Sequence, residues 1–222
     1  MSVEIILLSV ELVLLVLTLL TIFLSNREAA RSRALVSQMD KTTRILARFE
    51  YFQIVNDAIS KSRASLDCLV SGRKTDASDS DNLNNLLNSV REAARRGIKI
   101  RYLLPKMQDR LFMGYKYRLA GAEVRYAAGF VAHSLRYVVV DQSYVILTTP
   151  QELGVNEATR KGYLLVSDEL ATILGSHFET HWEKAVSFKQ YMSEVMNETA
   201  LSVPELAKEM EVEPAELTKY LA

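Results

Sequence analysis

The chain is poor in the residues that staple or punctuate a fold. A single cysteine, Cys68, excludes a disulfide framework and any cysteine-based metal site. Lying in an apolar run, it reads as an inert buried thiol. Prolines number four and glycines eight, and neither occurs between residues 25 and 63. That stretch therefore has nothing to interrupt a helix. No glycine-rich phosphate loop is present, so no nucleotide cofactor is expected, nor any other cofactor. Charge of neither sign prevails, with 27 Lys and Arg against 27 Asp and Glu. No global field draws the chain to nucleic acid, which is not an expected partner.

Basic residues are also missing ahead of the longest apolar run, residues 5–24. Twenty such residues match a helix crossing about 30 Å of hydrocarbon. A cleaved signal peptide would begin with positive charge, have a shorter apolar core and end at small residues. Residues 1–26 are therefore expected to be a permanent transmembrane anchor. Arg27, Arg31, Arg33, Lys41, Arg44 and Arg48 all follow it. This asymmetry places the C-terminal part in the cytoplasm, making a single-pass protein of the cell membrane. Glu11 interrupts the span, and a central acidic residue disfavours insertion by about 2.5–3.5 kcal/mol. It either makes a polar contact with a second anchor or a membrane-protein partner, or is protonated or reaches the interface.

Residues 27–50 read as a helical stalk. Leu35, Met39, Thr42, Leu46 and Phe49 step by 4, 3, 4 and 3, a short heptad seam. The seam serves either self-pairing as a coiled coil or packing on the domain that follows.

That domain is expected over residues 51–190. Helical patterns at 51–63, 82–96 and 108–120 alternate with strands at 65–71, 98–104 and 122–126, and Gly97 and Gly121 stop two of the helices. The alternation indicates an α/β layer fold with a mixed sheet. Next come two β-branched runs, 137–140 and 144–147, joined by Asp141-Gln142-Ser143 as a tight hairpin. A strand at 161–166 and a long helix at 168–187 complete the domain. Leu170, Ile173, Leu174, Phe178 and Trp182 mark that helix's inner face.

The hairpin, with His133, Ser134 and Arg136 entering and Asp141 closing it, resembles the phospholipase D-like superfamily. The family signature is H-x-K-x-x-x-x-D followed by a G-S pair. On that alignment Asp141 keeps the Asp place, Arg136 stands at the Lys, Ser134 at the His, and Thr148-Thr149 at the G-S. The segments 93–105, 121–126 and the closing Phe178/Trp182 helix are similar to the family's order, so the resemblance covers residues 52–188. It implies a phospholipase D-like sandwich and chemistry in which two hairpins face one phosphodiester, hence a homo-oligomer. Because the His and Lys places are changed, the site is degenerate. The implied ligand-binding set is Ser134, Arg136, Asp141, Thr148 and Thr149, with an anionic ligand. The function expected is a membrane-tethered, non-catalytic binding, sensor or scaffold protein. The alternative is a dimeric phosphodiesterase or nuclease using His133, Arg136 and Asp141. His133 would need a strand bulge, since successive strand residues point to opposite faces.

Three further features bear on function. Residues 198–222 form two short helices resembling part of a helix-turn-helix, but Glu211 replaces the turn glycine and Glu213 and Glu216 would repel phosphates. His177 and His181 stand at i and i+4 on the closing helix. Lacking a third ligand nearby, they are expected to be exposed and to hold no metal. Arg101, Lys106, Arg110, Lys116, Arg118, Arg125 and Arg136, interleaved with tyrosines, form either a residual anion pocket or ordinary solvated element ends. For the topology, protease added to intact cells should leave residues 35–222 undigested. Cleavage there without permeabilisation would reverse the assigned orientation.

Overall fold

The computed structural model describes residues 43–46, 48–74, 80–128, 135–152 and 156–221. The expected anchor, most of the stalk seam, His133 and Ser134 lie outside these residues. Among the described residues no helix is long and apolar enough to cross a membrane.

The strands are β1 (Thr43–Leu46), β2 (Ser65–Leu69), β3 (Lys99–Pro105), β4 (Glu123–Ala127), β5 (Arg136–Val140), β6 (Tyr144–Glu152), β7 (Asn156–Val166) and β8 (Val186–Ser187). The helices are α1 (Arg48–Lys61), α2 (Ser80–Arg95), α3 (Leu111–Leu119), α4 (Asp168–Lys184), α5 (Phe188–Thr199), α6 (Val203–Glu209) and α7 (Pro214–Leu221). One sheet holds all eight strands in the order β1-β7-β6-β5-β2-β3-β4-β8. The neighbours β2-β3 and β3-β4 are parallel, as helical crossovers require, and every other pair is antiparallel. The seam between the two halves is the β2–β5 pair.

Alternation along the strands sorts their side chains onto two faces. Leu66, Cys68, Ile100, Tyr102, Leu104, Val124, Tyr126, Val138, Val140 and Ile146 pack in one core with α1, α2, α3, α5, α6 and α7. Leu69, Leu103, Ala127, Tyr137, Val139 and Val145 pack on the other face with α4 alone. The larger core carries a tyrosine layer. Tyr102 and Tyr117 stack with ring centres 3.9 Å apart, and Tyr126 lies 4.5 Å from Tyr191. Gly114 of α3 is required by this layer, because a Cβ there would stand 1.9 Å from the Tyr126 hydroxyl.

Several expectations need correcting. The stalk helix does not run through residue 50: Thr43–Leu46 is an edge strand paired antiparallel with β7, and α1 begins at Arg48. The Thr-Arg-Ile-Leu run has good strand propensity, and pairing satisfies polar backbone groups that β7 would otherwise leave open. The closing helix is shorter than 168–187. It stops at Lys184, Val186–Ser187 adds an edge strand to β4, and Ser187 then caps a further helix, α5, by accepting from the Gln190 amide. The expected C-terminal hairpin, α6 and α7, packs onto the domain. Leu206, Met210 and Leu217 are at most 2 % exposed within the larger core. Burying each contributes about 1.5–3 kcal/mol, far more than the exposed Lys74–Glu211 ion pair beside them.

Three helices end in the same Schellman geometry. After α2, Gly97 N–H donates to Ala94 and Ile98 N–H to Ala93, and Gly97 has φ +83°. After α3, Gly121 and Ala122 donate likewise, and Gly121 has φ +100°. After α6, Glu211 donates to Lys208 and Val212 to Ala207, with the non-glycine Glu211 at φ +54°. A side chain there costs about 1–2 kcal/mol. Glu211→Gly should therefore raise stability by about 1 kcal/mol despite losing its ion pair, whereas Glu211→Ala, which keeps the strain, should not. Thermal midpoints of the two variants check this, and an equal or lower midpoint for the glycine variant would contradict it.

Candidate functional site

β2, β3, β4 and β6 all finish at one edge of the sheet, and β5 begins there. Ligands of open α/β sheets sit outside such carboxyl ends. Arg136 and Thr148 are direct cross-strand partners at this edge. They share the face of the larger core, and the Thr148 hydroxyl donates to the Arg136 carbonyl at 3.5 Å. Arg136 is only 6 % exposed. Its guanidinium lies close enough to the Tyr51 phenol, on the first turns of α1, to act on its ionisation. Burial pushes that phenol up to about 12, Cys68 adds to the rise, and Arg136 opposes it. Thr149 follows Thr148, so its side chain points to the α4 face.

Asp141 is not part of this edge. It closes the β5–β6 turn at the far end of β5, about 16 Å away along the strand. There it acts on the backbone. One carboxylate oxygen accepts from the amides of Ala64 at 2.8 Å, Ser65 at 3.0 Å and Arg63 at 3.2 Å, while the other accepts from Arg63 at 3.0 Å. The Asp141 amide in turn donates to the Ser65 carbonyl at 2.9 Å. Asp141 and Gln142 have φ of +49° and +53°, the type I′ pattern that suits strand twist in a tight hairpin. Of the residues assigned to the site, the structure thus joins Arg136 and Thr148 and separates Asp141 from them. Ser134 and His133 lie outside the described residues.

The basic cluster does not converge either. Arg101 and Arg125 lie on the α4 face, against Trp182 at 5.1 and 4.5 Å. Arg118 sits over Phe188 and Tyr220 on the opposite side of the sheet, and Lys106 pairs with Glu194. They are not ordinary solvated ends, since Arg101, Arg110 and Arg136 are all buried.

Two polar groupings under α4 were not anticipated. Asp67, in the centre of an otherwise apolar strand, accepts from Arg101 Nε at 2.7 Å, and Arg101 also pairs with Glu179 at 2.8 Å. Burial opposes the charge of the guanidinium, but the hydrogen bonds it donates to Asp67 and Glu179 outweigh that and hold it charged. The sequence signal was the carboxylate inside an apolar strand, a residue that is rarely buried without a partner. Further along, the Tyr137 hydroxyl lies 2.7 Å from Nδ1 of His177, which is half-buried and not an exposed helix residue.

The Asp141 clamp makes acid stability testable. Burial alone would raise its pKa, but the amides of Ser65, Ala64 and Arg63 outweigh that and hold it below the usual carboxylate value. With the folded pKa depressed, its contribution is complete above about pH 4, the unfolded value, and is lost as pH falls through the folded pKa. Asp141→Asn should cost about 1–2 kcal/mol at neutral pH and flatten the acid limb of the stability curve. Chemical unfolding at pH 7 and pH 3 checks it; an unchanged acid limb would assign the dependence elsewhere.

No family model matches the chain, and no curated protein matches it. Solved structures do. A phospholipase D family member, Nuc from Salmonella typhimurium, is 12 % identical with a TM-score of 0.51, over 65 % of this chain and 95 % of that one. NucT from Helicobacter pylori is 14 % identical with a TM-score of 0.51, over 65 % of this chain and 98 % of that one. At such identities the likeness is one of fold. The α/β fold with its mixed sheet is phospholipase D-like.

Proposed function

We propose that the chain is a membrane-anchored binding protein of phospholipase D-like fold, without catalytic turnover, that works as a homodimer and takes an anionic group at the Arg136 edge. The carrying observation is the division of labour along β5. Asp141, the one signature residue kept, holds backbone amides at the far end of the strand. The places that would carry chemistry hold Ser134, Arg136 and Thr148-Thr149, with no imidazole among them. What the hairpin retains is its architecture and one cation.

An arginine supports this reading in a way a lysine would not. Its guanidinium stays charged when buried and offers a planar fork to a phosphate-like oxyanion. The anchor at residues 5–24 and the basic residues after it support attachment at the cytoplasmic face of a membrane, where such a module serves as sensor or scaffold. Two copies held in one membrane would meet at a high effective concentration.

The second reading is a dimeric phosphodiesterase. It is favoured by the likeness of fold to a phospholipase D family member, and it requires His133 in the nucleophile's place. Removing one transition-state donor commonly lowers rate by about 10²–10³-fold, and several are changed here. The purified full-length protein should therefore show no turnover of phosphatidylcholine, DNA or a chromogenic diester between about pH 5 and 9. Inorganic pyrophosphate should raise its thermal midpoint, and Arg136→Ala should abolish that rise. Turnover that disappears in His133→Ala would establish the phosphodiesterase instead. An equal pyrophosphate effect in Arg136→Ala would remove Arg136 from the site.

A further inference from the structure

The face of the sheet opposite Arg136 carries an imidazole pair with a built support. His177 and His181 stand one turn apart on α4, both half-buried. Their rings lie 4.7 Å apart, centre to centre, at 63°. The Tyr137 hydroxyl reaches the Leu174 carbonyl at 3.1 Å and His177 Nδ1 at 2.7 Å. A phenol has one proton, and a backbone carbonyl can only accept. The arrangement that makes both bonds sends the phenol proton to Leu174 and has Nδ1–H donate to the phenol oxygen. His177 is then fixed as the Nδ1–H tautomer, with its lone pair on Nε2.

We propose that His177 and His181 form a two-imidazole site for one divalent transition cation of the Zn²⁺, Cu²⁺ or Ni²⁺ class, braced by Tyr137.

The tautomer fits that role. Histidines that ligate metal through one nitrogen hold an outer partner with the other, which sets ring orientation and raises ligand basicity. The spacing fits as well. With metal–nitrogen distances of about 2.0–2.1 Å and a ring centre about 1.1 Å further on, two imidazoles on one ion lie about 4.5–5.2 Å apart for ligand angles from about 90° to about 109°. The observed 4.7 Å falls within that window. Among the described residues no third His, Cys, Asp or Glu completes a cluster. Water, or a donor that arrives with the cation, can fill the other coordination positions. This site stands on α4 and β5 and is independent of the function proposed for the Arg136 edge.

Trp182 is the only tryptophan and adjoins His181, which supplies a native reporter. Titrating the full-length protein with CuCl₂ should quench its fluorescence saturably at one ion per chain, and excess ZnCl₂ should restore it. His177→Gln and His181→Gln, each with an unchanged circular dichroism melt, should weaken binding at least about tenfold. Tyr137→Phe should weaken it about 10–100-fold, the usual effect of losing an outer-shell partner. Binding by both glutamine variants equal to the parent would overturn the proposal, as would quenching without saturation. Loss of binding in His133→Gln would also overturn it as a two-imidazole site. Nitrogen-15 NMR reads the tautomer directly, and hydrogen on Nε2 of His177 would overturn the role given to Tyr137.

Discussion

The sheet depends on how its two halves are joined. β2, β3 and β4 run parallel and β5, β6, β7 and β1 antiparallel, and only the β2–β5 pair connects them. Slipping that pair by one residue would turn every side chain of β5 to the opposite face. The Asp141 carboxylate opposes such a slip, because it grips the amides of Arg63, Ala64 and Ser65 just where β2 begins. With that end held, Val138 and Val140 enter the larger core and Tyr137 and Val139 the smaller one. The same register carries Arg136 to the carboxyl edge beside Thr148 and brings Tyr137 beneath α4. Both proposed ligand sites depend on a register that one turn residue holds.

The two faces achieve cohesion by different means. Six helices cover one face with aliphatic and aromatic contacts, and a tightly placed glycine, Gly114, lets α3 approach Tyr126. The other face has one helix, and there charge assists packing. Arg101 spans Asp67 and Glu179 while lying against Phe178 and Trp182, so a strand, its neighbour and α4 are tied through one guanidinium. A buried charge is tolerated only when paired and hydrogen-bonded, and the fold supplies both partners.

Much of this was legible in the residue pattern. Gly97 and Gly121 mark true helix ends because left-handed backbone has few other occupants, and the 137–147 hairpin stands out because β-branched runs flank a short polar turn. β1 was hidden among helix formers, and its local strand propensity is decided by the open edge of β7, which no local window contains. The break at Ala185 was hidden because neither Gly nor Pro makes it; the cap at Ser187 and pairing with β4 do. At the site, the spacing identified Asp141 but not its work, since its partners lie 76 to 78 residues earlier. Periodicity assigned Asp67 and Arg101 to strands but could not make them neighbours. His177 was misjudged for the same reason: helix phase puts it beside the inner face, and only the register of β5 places Tyr137 under it.

The tyrosine layer has a kinetic corollary. Burial raises the phenol pKa values of Tyr102, Tyr117 and Tyr126, and Cys68 adds to the effect at the first two. An unfolded tyrosine ionises near pH 10, so the fold loses stability as the solution passes that point while the interior phenols stay protonated. Their ultraviolet phenolate signal therefore cannot appear ahead of opening of the core. In alkaline solution the share of the absorbance that belongs to these three phenols becomes a clock for opening of the core, rather than a titration of the groups themselves.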